Sequence, residues 1–214
     1  MNHLRRVAFA FCTLIALAST GLAEDRSARD KRIIEKLATT LGEEKYRAKE
    51  PLFSDDLLKR LLPTLLCDKA AGAKAHGLCT SGTVFVLKGK TKDSFNVSVR
   101  LYGVTSPEAG EELLALHRES EERYNAGVEK YQKVLVKKLD DKLEIKGASK
   151  AYTYERVIER QSKKRGNIHR ARIVVAAGSF MVLVELAGGE IASKDLTTRL
   201  ARVVLQAVGA LPNK

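Results

Sequence analysis

The chain has 214 residues, 44% of them hydrophobic and 30% charged, with 38 Lys and Arg against 26 Asp and Glu for a formal charge of +12. That apolar share excludes a disordered chain, the length suits one well-buried domain, and the positive balance favours anionic surfaces and substrates through long-range attraction.

The first segment reads as a targeting leader. Arg5 and Arg6 precede an uncharged apolar run, 7–18, which is followed by the small residues Ser19, Thr20, Gly21 and Ala23. A basic n-region, an h-region and a small-residue cleavage site in that order predict a signal peptide over 1–23, cut after Ala23. The apolar run is about half the roughly 20 residues a membrane-spanning helix needs. Cys12 follows Phe9, Ala10 and Phe11, which are too bulky for a lipoprotein cleavage box. The mature chain, 24–214, is then one periplasmic or secreted domain, still basic at 36 against 26. Bacterial export to a periplasm fits best.

In 24–66 two helices are expected. Ile33, Ile34, Leu37, Ala38 and Leu41 fall at helical spacing among charges, and Ser54 with Asp55 and Asp56 opens a leucine-rich segment that Pro63 must break or kink. Cys67 and Cys79 follow. Two cysteines in an exported chain predict a disulfide closing the loop 67–79, worth about 3 kcal/mol by chain entropy. A redox pair wants two residues between its cysteines, and a zinc site wants more ligands than the nearby His76 supplies.

The remainder, 80–214, reads as sheet and covering helices. Thr83–Lys88 and Ser94–Tyr102 predict a hairpin with Leu87 opposite Phe95, Phe85 opposite Val97 and Thr83 opposite Val99, leaving Asn96, Ser98 and Arg100 on the other face. Ser106, Pro107 and Glu108 mark a helix start. That helix is expected to run to about Arg123, with an interruption near Asn125–Gly127 and a helical stripe continuing through Val128, Tyr131, Leu135 and Leu139 to Asp140. Leu143 and Ile145 suggest a short strand. Alternation over Ala151–Arg160 puts Tyr152, Tyr154, Arg156 and Ile158 on one face. The apolar run Ile173–Gly188 is broken by Gly178, Ser179 and Glu185, so it predicts paired strands and not a membrane span. A two-residue turn at Gly178 and Ser179 pairs Ala177 with Phe180, Val175 with Val182, Ile173 with Val184 and Arg172 with Glu185. Ser193 is expected to cap a last helix with Leu196, Leu200, Val203, Val204 and Val208 inward and Gly209 past its end.

Helices between groups of hairpin-connected strands imply an α+β domain: an antiparallel sheet of about five to six strands covered by helices in a layered sandwich. In layout this order resembles the Mog1/PsbP-like sandwich, a resemblance of element order that implies fold and not function.

Catalytic signatures are sparse. His76, His117 and His169 are widely separated, with no H-E-x-x-H pair to bind zinc. Gly178 and Ser179 lack the G-x-S-x-G pattern and turn strand into strand. Gly188 and Gly189 before a helix could hold an anion, but without a lysine or further glycines they read as a loop. Glu111, Glu112, Glu119, Glu121 and Glu122 crowd one helix face beside Arg118 and Arg123, where nothing separates an acid from a base. No cofactor and no metal is expected. Charge is the strongest lead. Lys130, Lys133, Lys137 and Lys138 share one broad face if helical, and Lys163, Lys164, Arg165, Arg170 and Arg172 cluster around a strand turn. The sequence therefore predicts an exported, non-catalytic binding or accessory protein of the cell envelope, partnered by an anionic envelope component or another envelope protein. The alternatives are a basic module on polyanions or anionic membrane surfaces, whose binding salt would weaken, and a hydrolytic enzyme with no local motif. Nucleic acid is disfavoured by export and by the lack of tryptophan and of an aromatic-interleaved basic motif.

Overall fold

Alternating β-branched and aromatic residues over the middle and later chain build a single antiparallel sheet. The computed structural model describes residues 27–42, 45–49, 52–53, 69–90, 95–159, 166–188 and 194–212. In chain order these form α1 (27–41), β1 (Tyr46–Ala48), β2 (Leu52–Phe53), α2 (Lys69–Leu78), β3 (Cys79–Gly89), β4 (Asn96–Val104), α3 (Pro107–Glu129), β5 (Val134–Asp140), β6 (Lys150–Ile158), β7 (Ile168–Ala177), β8 (Phe180–Gly188) and α4 (Lys194–Ala207). The strand order is β1-β3-β4-β8-β7-β6-β5, with β2 also paired to β3. This is the α+β layered sheet expected, with eight strands among the described residues where the sequence leads one to expect five to six.

The extra strands come from short or polar segments that carry weak patterns. β1 and β2 add three and two residues to the edge of β3, and β5 replaces the second half of the expected long helix. α3 continues through Gly127 without a break and stops at Glu129. Leu135 and Leu139, which looked like a helical stripe, lie on an edge strand and stay half-exposed. Residues 143–145 form no strand. The expected loop 67–79 is, over Lys69–Leu78, a ten-residue helix.

Register settles which face each residue takes. β7 and β8 pair as the turn predicts, with Arg172 opposite Glu185 and Ile173 opposite Val184. Gly178 sits at φ 51 in the turn, the left-handed region that glycine enters without a Cβ clash. In the first hairpin Leu87 faces Val97 and Phe85 faces Val99, two residues from the expected register. A slip of two preserves the face, so Phe85, Leu87, Val97 and Val99 still share one buried side.

Two cores result, one on each face. On the first, Phe85, Val99, Ile173 and Val184 pack under Ile33 and Leu37 of α1 and Leu200, Val204 and Leu205 of α4. Asp30 of α1, fully buried, accepts hydrogen bonds from Thr83 Oγ1 at 3.3 Å and Arg29 Nε at 2.9 Å, which pins the helix to β3. On the second face, Tyr102, Tyr152, Val174, Met181 and Leu183 pack under Ala75 of α2 and Ala109, Leu113 and Leu114 of α3. α4 ends in a Schellman arrangement: Gly209, at φ 73, donates to Gln206 O and Ala210 donates to Leu205 O at 2.8 Å.

α3 begins as the sequence anticipates. Ser106 Oγ accepts from Ala109 N at 3.2 Å, and Pro107 occupies the first turn. Replacing Ser106 with Ala orphans that amide, so Ser106→Ala should lower stability by about 1 kcal/mol, read as a shift of the urea midpoint at unchanged m-value.

Candidate functional site

The second face of the sheet is apolar only where α2 and the first half of α3 cover it. Toward the C-terminal half of α3 the inward residues turn charged. Arg100 of β4, Arg156 of β6, Arg170 and Arg172 of β7 and Glu185 of β8 all point to this side, in phase with Tyr102, Tyr154, Val174 and Leu183. From above, α3 contributes His117, Ser120, Glu121 and Asn125, all buried. Polar residues in a covered face are costly unless each finds a partner, so their pairing decides what the region does.

Arg172 is fully engaged. One arm of its guanidinium meets Glu121, and Nε and Nη2 hold Glu185, with Nε at 3.1 Å. Burial alone would raise the Glu185 pKa; Arg172, with Arg170 and Arg100 behind it, outweighs burial and keeps the carboxyl below its ordinary value. Both carboxylates of the cluster are thus taken by one arginine.

The other three arginines are only partly satisfied. Arg156 is 2% exposed; Nη1 donates to Asn125 Oδ1 and the guanidinium carbon stands 5.2 Å from the Tyr124 ring centroid, a cation-π contact. Its Nε has no hydrogen-bond partner, nor have Arg170 Nε or Arg100 Nε and Nη1. His117 Nε2 is likewise buried without a partner, and the hydroxyls of Tyr102 and Tyr154 stand beside Arg100 and Arg156. His117 is pushed down to about 3, chiefly by burial and further by Arg172 and Arg100, and so is neutral. Burial raises Tyr102 to about 12. Among the described residues, four arginines on this face meet two carboxylates.

The register also aligns cations. Lys137 of β5 pairs with Arg156 of β6, and Arg156 pairs with Arg170 of β7, so three basic residues stand side by side across three strands on this face. Like charges directly opposite one another destabilise a sheet unless something negative lies among them. Lys137 is answered by Glu129 at 2.7 Å. Among the described residues no carboxylate forms an ion pair with Arg156 or Arg170.

The two basic clusters singled out by sequence therefore meet, through a residue neither contained. Lys137 and Arg170 flank Arg156. Lys138 is next to Lys137 on β5 and points to the opposite face. Lys130 follows the end of α3, and Lys133 lies in the turn before β5, where it pairs with Glu159 at 3.2 Å. The single helical lysine face does not exist, because the chain leaves the helix at Glu129. Lys163, Lys164 and Arg165 lie outside the described residues, as do the leader, the segment 54–66, Ser193 and Cys67. Cys79 opens β3 half-buried, where burial pushes its thiol form up to about 12. The helix over Lys69–Leu78, about 15 Å long, separates Cys79 from the segment that carries Cys67. Sequence reasoning missed Arg100, Arg156, Glu121 and His117 as members of one site. The available signal was parity: arginine stands at in-phase positions of three strands.

A groove of about 310 Å³ on the flank of α3 is lined by Arg118, Glu119, Glu122, Asp141, Lys150 and Tyr152 among others. Its arginine is matched, with Arg118 bridging to Glu122 at 3.5 Å and Asp141 at 3.0 Å. Among the described residues no group of three His, Cys, Asp or Glu side chains could hold a metal ion, and no helix is long and apolar enough to cross a membrane.

No protein-family model and no curated protein matches the chain. Its fold is similar to that of a solved structure. The extracellular domain of PknH from Mycobacterium tuberculosis is similar over 82% of this chain and 90% of that one, with a TM-score of 0.52 and 11% identity. That likeness is one of fold. A protein of unknown function from Pseudomonas aeruginosa, PA94, aligns over 63% of this chain and 83% of its own, with a TM-score of 0.30 and 14% identity.

Proposed function

We propose that the chain is an exported, non-catalytic binding module of the cell envelope, and that its working surface is the charged face of the sheet beneath the second half of α3. The observation that carries this reading is the excess of half-buried and buried arginine donors there over the carboxylates available to them. A domain that served packing alone would pair such groups or replace them with apolar ones. The arginine-led leader supports export, and the PknH domain that shares the fold is itself extracellular. A disulfide between Cys67 and Cys79 belongs to the same proposal. The surface-binder alternative has less support, since Lys133 and Lys137 are neutralised by Glu159 and Glu129.

Export is tested with the full chain expressed in a bacterium under its own leader, followed by osmotic-shock fractionation and intact mass measurement. The expected species is in the shock fluid, begins at Glu24 and has lost two hydrogens to a Cys67–Cys79 bridge. Full-length protein retained in the cytosol with Met1 attached overturns the export reading, and free thiols in shock-fluid material overturn the bridge alone.

A further inference from the structure

We propose that Arg156 and Arg170 form a binding site for a small oxyanion carrying two negative charges, a phosphate or sulfate group, seated between their guanidinium groups beside the end of α3. The inference deepens the binding-module reading by naming the class of ligand; it rests on that reading and is independent of export.

The argument starts from register. Arg156 and Arg170 are directly paired residues on adjacent strands, on the same face, so their side chains leave the backbone about 5 Å apart. Two cations held that close and partly out of water repel one another, the more so when one of them is 98% withdrawn from solvent. Structural proteins relieve such a clash with a carboxylate. Here Glu121 and Glu185 are both committed to Arg172, Glu129 to Lys137 and Glu159 to Lys133. The pair instead keeps a buried Nε–H on each arginine with no carboxylate among the described residues to accept from it. Asn125 and the Tyr124 ring hold the Arg156 guanidinium in place, which orients its remaining donors ahead of any ligand.

The chemistry of the missing partner follows. It must accept from several N–H donors in fixed planar forks, which suits the oxygens of a tetrahedral oxyanion. It must also offset an excess of two positive charges, since the four arginines meet two carboxylates and His117 is neutral. A chloride ion satisfies neither demand as well. Arg170 is half-buried where Arg156 is buried, so the anion enters from the Arg170 side. The same phosphate chemistry is found free in solution and on anionic lipid headgroups, and the experiment separates them.

Thermal unfolding of the mature protein is followed in inorganic phosphate, sulfate and chloride at equal ionic strength, with isothermal titration of phosphate. Phosphate and sulfate should raise Tm along a saturating curve while chloride does not. Arg170→Gln, at the half-buried position, should weaken phosphate binding about tenfold or more, the loss of one charge-assisted contact. Lys133→Gln, outside the row, should leave it unchanged. Arg156→Gln is read alongside, and if it fails to fold, Arg170→Gln carries the test. In a second arm, sedimentation with vesicles of phosphatidylglycerol in phosphatidylcholine distinguishes the sources: phosphate binding without sedimentation assigns the site to a free anion, and sedimentation reversed by phosphate assigns it to a headgroup. Equal Tm shifts in chloride and phosphate, or equal losses in Arg170→Gln and Lys133→Gln, overturn the proposal. Failure here with a correctly processed exported chain would sink the ligand and leave the export reading standing.

Discussion

Replacing Arg172 with Met should destabilise the fold by about 3–5 kcal/mol, the range measured when one partner of a buried ion pair is removed and its counter-charge stays behind. Among the described residues Arg172 is the one cation bonded to both Glu121 and Glu185, whose side chains are 7% and 18% exposed. Met keeps the volume of the side chain and removes every donor, so two carboxylates are left facing each other beneath α3. Arg100 and Arg170 lie close enough to act on Glu185, but no hydrogen bond joins them to it. The loss should appear in urea unfolding as a lower midpoint at unchanged m-value. Removing both carboxylates with the arginine, as Glu121→Leu and Glu185→Leu added to Arg172→Met, should recover most of the stability, because the unpaired charges and not the missing packing cause the deficit. A triple variant as unstable as the single one would mean that the cost lies in shape. Arg172→Lys should recover only part, since a single ammonium cannot hold two carboxylates on separate elements as a planar fork does.

That network was half legible in the sequence. The turn chemistry of Gly178 and Ser179 sets the β7 and β8 register, and with it the Arg172–Glu185 pair, because a two-residue turn fixes which residues face each other. The start of α3 was legible for the same reason: cap and proline act within one turn. Glu121 was not, since it meets Arg172 across 51 positions of sequence and looked like one more charge on a solvated helix face. A helix of alternating charges gives no hint of which flank meets a sheet until the sheet is in place. The run from Val128 to Asp140 misled through its period. Val128, Tyr131, Leu135 and Leu139 repeat every three to four residues, yet the chain there finds β6 to pair with, and tertiary pairing overrides a short local pattern. With that helix gone, its lysine face went too. What replaced it was a row of cations made by register, which links Lys137, Arg156 and Arg170 and exists only once three strands are aligned.

His117 should give the folded protein a steep dependence on acidity that a single substitution removes. The imidazole is 2% exposed, and burial, then Arg172 and Arg100, hold it down at about 3 against an ordinary 6.5. A histidine so depressed takes up its proton in the unfolded chain first. Its contribution is therefore complete above about pH 6.5 and is lost as pH falls toward the folded value, at up to about 1.4 kcal/mol per pH unit. Between about pH 7 and about pH 4.5 the loss comes to roughly 3 kcal/mol. Glu185 is also depressed, and the stability it adds is present above its unfolded value near 4.5 and fades only as pH falls through its lower folded value, so it leaves this window to His117. His117→Leu, of similar size and beside the Tyr102 ring at 6.4 Å, should fold and should flatten the curve of unfolding free energy against pH across that range. The mechanism is local. Protonation would place a third positive charge between Arg100 and Arg172 under α3, where the two available carboxylates are already engaged, and the helix must lift before water can reach it. An unchanged slope in His117→Leu would assign the acid sensitivity to other groups and would mean that His117 reaches solvent in the folded state.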